Sequence, residues 1–169
     1  MASFLLIIGD RDALGWILST GQMAFSAGRR NEVGALEIGD SLFIYTTRSA
    51  FKNPTRDRGR VIGTARVTSH VMSLAEPPEF YGRSFPQGCT LEITSLTPFG
   101  RGVELAPLVD SLEAFADAGP GWATRLRRAL LRLSAADASL LTAHVSKRAT
   151  VRIDEAVAEY TRWYTTPAV

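Results

Sequence analysis

The spacing of hydrophobic and polar residues predicts that the chain opens with a strand and a helix. An apolar run over Ser3–Ile8 is short enough to form a buried strand. Apolar side chains then recur at helical spacing over residues 11–19, where Asp10 or Asp12 is placed to cap a helix. A stretch rich in Gly and Arg follows without a clear period, and we interpret it as irregular.

Alternation with a period of two predicts three further strands. The segment Ser41–Thr46 is mostly apolar on both faces, which is typical of a central strand. Residues 60–69 alternate more strictly and form the next predicted strand, with residues 46–59 as the connecting loop. A fourth strand is predicted over residues 90–95, after a Pro-containing loop at 76–87.

The second half of the chain has mainly helical spacing. Pro107 opens a predicted helix in which Leu108, Leu112 and Phe115 share one face. A second amphipathic helix is predicted over residues 122–133, with an apolar stripe opposite several arginines.

Further signals predict how the chain ends. Ser134 and Asp137 resemble a capping box and predict the start of another helix. Residues 149–153 are interpreted as a returning strand, and Asp154 as the cap of a last helix that ends near Trp163.

Length and composition favour one α+β domain that needs no disulfide or metal. The chain has 169 residues, of which 46% are hydrophobic, enough for a sizeable core. The single Cys89 has no partner for an internal disulfide, and two histidines do not supply a zinc site. The first residues show neither a signal peptide nor a membrane span, so we expect a cytoplasmic protein without a membrane partner.

The distribution of charge says more than the formal net charge of +2. Seventeen of the nineteen basic residues are arginines, whose planar guanidinium pairs with phosphate at two points. A GC-rich genome also raises the arginine content, but it does not explain clustering. One stretch with Asp57 as its single acid contains six basic residues, namely Arg48, Lys52, Arg56, Arg58, Arg60 and Arg66.

Four short motifs resemble the EVE domains, which are relatives of the YTH, ASCH and PUA modules. They are GDSLFIYTT, RGRVIGTARVTS, FYGRSFPQGCTLEITSLTPF and LLRLSAADASLL, and the resemblance spans residues 3–145. It implies an α+β fold with a small, mixed, PUA-like β-barrel, flanking helices and a helical C-terminal part. We therefore expect a single domain over residues 1–169, with 146–169 as a C-terminal extension.

The resemblance also implies a pocket that holds one flipped, often modified, base between aromatic side chains. Gly9, Phe25 and Tyr45 are expected to form one cluster there, although Met23 competes with Phe25 for the position of the YTH cage tryptophan. The candidate pocket residues are Gly9, Asp10, Trp16, Met23, Phe25, Ser26, Tyr45, Thr46, Thr47 and Phe51. The candidate phosphate-binding residues are Arg48, Lys52, Arg56 and Arg58.

Several of these residues also have a structural interpretation. Trp16 and Tyr45 suit a core as well as a pocket, and Asp10 suits a helix cap as well as an acceptor for a base amino group. Phe51 is the strongest candidate, because an aromatic side chain in a polar, Arg-rich loop suits base stacking. The arginines of residues 125–132 form a solvated helix face, or widen the phosphate-binding surface if they lie beside the pocket.

Three functions are compatible with the sequence. The first is a reader of a modified base in nucleic acid, with no catalytic residue, cofactor or metal. The second is an ASCH-like hydrolase of a modified nucleoside, which needs a buried lysine near a carboxylate, and Lys52 and Lys147 are the two lysines. The third is a barrel used for protein contacts.

Overall fold

The computed structural model describes residues 1–26, 31–53 and 57–162. Arg56 and Trp163, named above, lie outside these ranges. Within them the chain forms a mixed sheet of eight strands, a separate two-stranded hairpin, four α-helices and three 3₁₀ segments.

The elements follow one another along the chain with short connections. The strands are β1 (Ser3–Ile8), β2 (Gln22–Phe25), β3 (Ser41–Thr46), β4 (Arg60–Val67), β5 (Met72–Ser73), β6 (Glu79–Phe80), β7 (Arg83–Ser84), β8 (Gln87–Leu96), β9 (Val103–Glu104) and β10 (Leu130–Leu133). The α-helices are α1 (Arg11–Thr20), α2 (Asn31–Gly34), α3 (Ala135–Ser146) and α4 (Ile153–Thr161). The 3₁₀ segments are Ala106–Ser111, Glu113–Phe115 and Gly119–Leu126.

The main sheet is curled, and its strands follow the order β10-β1-β3-β4-β8-β2. β1 is parallel to β3 and antiparallel to β10. The long β8 pairs with β4 through its C-terminal half and with β2 and β5 through its N-terminal half. Register shifts after Ile44 and Thr64 mark irregularities in the ladder, which bend strands locally. The sheet therefore closes into a half-barrel.

Both faces of the sheet are buried, because successive residues of a strand point in opposite directions. On one face Phe4 and Ile44 pack in a core that includes residues of α1 and α4. On the other face Leu5 and Tyr45 pack in a core that includes residues of the 3₁₀ segments and α3. The prediction that β3 is a central strand is confirmed.

The first four predicted strands and three of the predicted helices, α1, α3 and α4, are confirmed with small changes of boundary. The prediction that Asp154 caps the last helix is wrong, because α4 begins one residue earlier and its N-cap residue is Arg152. Asp10 caps α1, since its Oδ1 accepts a hydrogen bond from the Asp12 N–H at 2.9 Å. Ser134 caps α3, since its Oγ accepts from the Asp137 N–H at 3.0 Å. The Asp137 carboxylate accepts instead from the Glu113 and Ala114 N–H groups at 2.7 and 2.9 Å, so it joins α3 to the 3₁₀ region.

The prediction of two α-helices between Pro107 and Leu133 is wrong. Val109, Leu112 and Phe115 are spaced by three residues, and that period fits the tighter 3₁₀ helix found there. The apolar residues after Leu126 form β10, because they pair with the edge of β1 that β3 leaves open.

The strand predicted at residues 149–153 is also wrong, because the chain there has no strand and enters α4 at Ile153. Several further elements were not predicted. They are β2 and α2, which lie in the stretch interpreted as irregular, the β6–β7 hairpin, which lies in the Pro-containing loop, and the two-residue strands β5 and β9.

Candidate functional site

A cavity of about 270 Å³ lies at the C-terminal end of β1, and we call it the strand-end pocket. Its walls come from the end of β1, α1, β2, the loop after β3, the region of the β6–β7 hairpin, and residues 126–129. The volume is slightly below the range of about 300–1,000 Å³ that is usual for ligand pockets. The strand-end pocket is therefore sized for one small group.

The turn from β1 into α1 places a carboxylate in the pocket wall. Asp10 is 7% exposed, and its Oδ1 is held by the first turn of α1. The turn is fixed from the side of β3 as well, because the Thr47 N–H donates to the Ile8 carbonyl at 3.0 Å. The cap role of Asp10 and its place in the pocket are thus compatible.

Aromatic side chains line the pocket from three different segments. Trp16 of α1 meets Phe80 of β6 edge to face, with ring centroids 6.0 Å apart. Phe80 in turn lies 5.6 Å from Phe85 between ring centroids. Phe25 of β2 is 1% exposed and Met23 is 8% exposed, so these two side chains are mostly buried in the wall.

The β6–β7 hairpin carries an unusual residue at its tip. Phe80 pairs with Arg83, so Tyr81 and Gly82 form a two-residue turn. Their φ angles are 55° and 69°, which fits a type I′ turn, but positive φ is costly for a bulky residue such as Tyr81. Burial of the hydroxyl, the negative charge of Asp10 and a hydrogen bond to it raise the pKa of Tyr81 well above its usual range. The residue as a whole is nevertheless 66% exposed.

The structure brings most of the predicted pocket residues together. The following predicted residues line the strand-end pocket: Gly9, Asp10, Trp16, Met23, Phe25, Ser26 and Thr47. Their role in binding stays a prediction.

Tyr45, Thr46 and Phe51 do not line the strand-end pocket. Tyr45 packs on the other face of the sheet from Phe25, so the expected cluster of Gly9, Phe25 and Tyr45 is wrong. Thr46 is 1% exposed, and its hydroxyl lies 3.4 Å from the Arg60 carbonyl.

Phe51 belongs to a different aromatic group. Its ring meets Phe99 edge to face at 5.3 Å, and Phe99 meets Tyr160 at 5.3 Å. The loop after β3 turns back on itself, with the Ala50 N–H donating to Thr47 and the Ala50 carbonyl accepting from the Arg11 N–H. That turn leaves Phe51 half-buried against the core, so its placement as a wall of the pocket is corrected.

A second, wider cavity of about 970 Å³ adjoins the first, and we call it the arginine groove. Both cavities are lined by Gly9, Thr47, Leu126 and Arg127. The remaining residues of the groove are Tyr45, Arg48, Ser49, Arg58, Gly59, Glu104, Ala106, Pro107, Trp122 and Ala123.

The predicted phosphate-binding residues separate in the structure. Arg48 and Arg58 are exposed and line the arginine groove. Lys52 is exposed and lines neither cavity. Arg56 lies outside the described residues.

Sequence reasoning missed part of the pocket wall. Phe80, Tyr81, Arg83 and Phe85 all line the strand-end pocket. Within the motif FYGRSF the signal is Gly82, because glycine readily takes the positive φ that a two-residue hairpin turn requires. Residues 126–129 also line the pocket, because the chain leads from there into β10 beside β1.

No protein-family model and no curated protein matches this sequence, whereas solved structures do. A structural-genomics protein from Pseudomonas putida aligns over 85% of this chain and 99% of its own, with TM-score 0.55 and 16% identity. Human THYN1, crystallised with DNA containing 5-methylcytosine, aligns over 85% and 96%, with TM-score 0.53 and 10% identity. The YTH domain of Mmi1, in a complex with RNA, aligns over 86% and 84%, with TM-score 0.57 and 11% identity.

The backbone similarity to THYN1 and to a YTH domain extends over most of each chain. This chain has a PUA-like fold. The expected α+β class and the resemblance to EVE and YTH domains are thereby confirmed at the level of the fold. In this PUA-like fold the half-barrel places the end of β1 beside β2 and the β6–β7 hairpin, which is how the strand-end pocket arises.

Two other features are absent from the described residues. These residues contain no group of three or more His, Cys, Asp or Glu side chains arranged to hold a metal ion. In the same ranges, no helix has the length and apolar character that crossing a membrane requires.

Proposed function

We propose that this protein binds nucleic acid and holds one extruded, modified base in the strand-end pocket. The observation that carries the proposal is the pocket itself, in which Trp16, Phe80 and Phe85 adjoin the Asp10 carboxylate. An aromatic face and an acceptor beside it are what a nucleobase needs for stacking and for hydrogen bonding.

The energetics suit a base that leaves its stack. Extrusion of a base costs a few kcal/mol, and stacking on aromatic side chains returns about 1–3 kcal/mol per base. A methyl group on the base adds about 0.8 kcal/mol if it is fully buried. The apolar side chains of Met23 and Phe25 offer such an environment.

Asp10 supplies the polar contact in this proposal. An ionised carboxylate has about four acceptor sites, and that of Asp10 accepts one bond from the Asp12 N–H and one from the Tyr81 hydroxyl. Acceptors remain for an exocyclic amino group, such as N4 of cytosine. Asp10→Asn replaces one acceptor oxygen with a donor, so we expect it to weaken binding of amino-bearing bases.

The class of ligand has support from the structural neighbours. THYN1 was crystallised with 5-methylcytosine-containing DNA, and the Mmi1 YTH domain with RNA. Arg83 and Arg127 of the pocket wall suit the phosphates of either polymer. We propose the cytoplasm as the place of action, as the sequence analysis expects.

The hydrolase alternative has weaker support. Neither Lys52 nor Lys147 lines the strand-end pocket, so neither lysine is placed to attack a bound nucleoside. We therefore expect binding without turnover.

A binding screen tests the proposal. Calorimetry with the common nucleosides and their methylated forms should find one that binds, and Trp16→Ala should weaken it by about 1–3 kcal/mol. The matched control is Phe99→Ala, because Phe99 is 47% exposed and lies outside the pocket wall. Binding unaffected by Trp16→Ala, or weakened equally by Phe99→Ala, would refute the assignment of the pocket. Hydrolysis of any nucleoside in the panel would favour the enzyme instead.

A further inference from the structure

The arginine groove has no role in the binding of a single base, yet it is continuous with the pocket that would hold one. Gly9, Thr47, Leu126 and Arg127 belong to the walls of both cavities. Its volume of about 970 Å³, against about 270 Å³ for the strand-end pocket, exceeds what one base fills. When one base of a nucleic-acid strand enters the strand-end pocket, the adjacent nucleotide of that strand lies at the arginine groove.

The charges of the groove favour an anionic occupant. Arg48, Arg58 and Arg127 lie along it, and among the described residues that line it Glu104 is the one acid. Glu104 lies 3.9 Å from both Arg58 and Arg60 between charged atoms. The Glu104 side chain is 42% exposed and that of Arg58 is 71% exposed. Exposed ion pairs of this length are weak, so a phosphate can readily replace Glu104 as the partner of Arg58.

The groove also contains an aromatic side chain in a fixed orientation. Trp122 is half-buried and meets Phe115 edge to face, with centroids 5.7 Å apart and planes at 88°. Packing against Phe115 therefore sets the angle of the indole. Tyr45 lies in the same groove, and burial, opposed by the charge of Arg48, raises its pKa to about 12, so it is a neutral, hydrogen-bonding side chain.

We propose that the arginine groove binds the nucleotide next to the extruded base, with its phosphate at the Arg48–Arg58 rim and its base on Trp122. The inference rests on the proposed function, and it specifies the partner as a single-stranded segment of at least two nucleotides. Glu104 opposes the phosphate, so the affinity of the groove is lower than its arginines alone would give.

The test compares free nucleosides with short oligonucleotides. The probes are 5-methylcytidine and N6-methyladenosine, and trinucleotides that carry either base in the centre, in DNA and RNA form. We expect a trinucleotide to bind more tightly than its central nucleoside. Trp122→Ala should weaken trinucleotide binding at least about fivefold and leave nucleoside binding unchanged, because one stacked base is lost.

Two further variants separate loss of stacking from loss of folding and test the charge of the groove. Trp122→Phe keeps an aromatic ring against Phe115 and should restore most of the affinity. Glu104→Gln removes the acid of the groove and should strengthen trinucleotide binding about threefold, without an effect on nucleosides. The matched control is Glu155→Gln, because Glu155 pairs with the exposed Arg152 at 2.9 Å outside the groove.

The outcomes separate this inference from the proposed function. If nucleosides bind but the trinucleotides gain nothing, or if Trp122→Ala and Glu104→Gln leave them unchanged, the groove proposal is wrong and the pocket stands. If only trinucleotides bind, and Trp122→Ala weakens them whereas Trp16→Ala does not, the groove is supported and the pocket fails. If neither class binds, both proposals fail.

Discussion

At the scale of single residues, close approach between backbones decides which side chains the sheet tolerates. Gly63 of β4 lies against β8, and a Cβ at this position would overlap the Ser95 carbonyl oxygen. A backbone atom cannot move aside as the end of a side chain can, so a larger residue forces β4 and β8 apart.

Gly63→Ala should therefore destabilise the protein by about 1–3 kcal/mol, as overpacking in a well-packed interior does. Urea unfolding measures the change. Gly34→Ala is the matched control, because a Cβ there meets no atom within 4 Å, and it should be neutral or slightly stabilising. Equal effects of the two substitutions would show that β4 and β8 do not approach as described.

Phe51 gives a second test at this scale, because the structure reverses its predicted role. Its ring packs on Phe99 rather than in the strand-end pocket. Phe51→Ala should lower the free energy of unfolding by about 2 kcal/mol, less than the 3–5 kcal/mol of a fully buried phenylalanine. Nucleoside affinity at a temperature well below melting should not change. Lost affinity with an unchanged melting temperature would return Phe51 to the site.

At the scale of elements, the sequence predicts what local periodicity determines. Strands such as β1 and β3 and the capped helices α1 and α3 were predictable because their patterns and caps are local. The region from Pro107 to Leu133 was not predictable, because its apolar spacing fits an α-helix, a 3₁₀ helix or an edge strand equally well. Only the non-local pairing of β10 with β1 decides between them. The two-residue β6–β7 turn was missed because its strands are too short to show a period.

The hairpin provides the prediction at this scale. Tyr81 adopts positive φ, which costs an ordinary residue about 1–2 kcal/mol, whereas Asn tolerates it. Because Tyr81 is 66% exposed, we expect the relief of strain to exceed the loss of its hydrogen bond to Asp10. Tyr81→Asn should therefore stabilise the hairpin by up to about 1 kcal/mol, measured as stronger hydrogen-exchange protection of the Phe85 N–H, which donates to the Pro78 carbonyl at 3.0 Å. Weaker protection in the variant would mean that the contacts of the Tyr81 side chain stabilise the hairpin by more free energy than its backbone strain removes.

At the scale of the whole molecule, the curled sheet joins segments that are distant in sequence. The pocket wall combines Gly9, Thr47, Phe80 and Arg127, and the residues in or next to β1, α1, β2 and β3 could be assigned in advance. The contributions of the hairpin and of residues 126–129 depend on non-local packing, which no local pattern specifies.

The charge distribution predicts how salt affects binding. Each phosphate contact adds about 0.7 to the slope of log affinity against log salt for a single strand. Substitution of both Arg48 and Arg58 by Gln removes the contacts to the one phosphate at their rim and should thus flatten the slope by about 0.7. Arg152→Gln is the matched control, because its side chain is as exposed as that of Arg58, 71% in each, and it lies outside the groove. A slope that stays the same in the double variant would exclude these arginines from phosphate contact.

The most direct test of the central claim is a crystal structure of the protein with a trinucleotide whose central base is methylated. We expect this base to lie in the strand-end pocket, against Trp16 and within hydrogen-bond distance of the Asp10 carboxylate. Its neighbour should lie in the arginine groove. A bound strand that leaves the strand-end pocket empty, with its bases on another surface, would contradict the account.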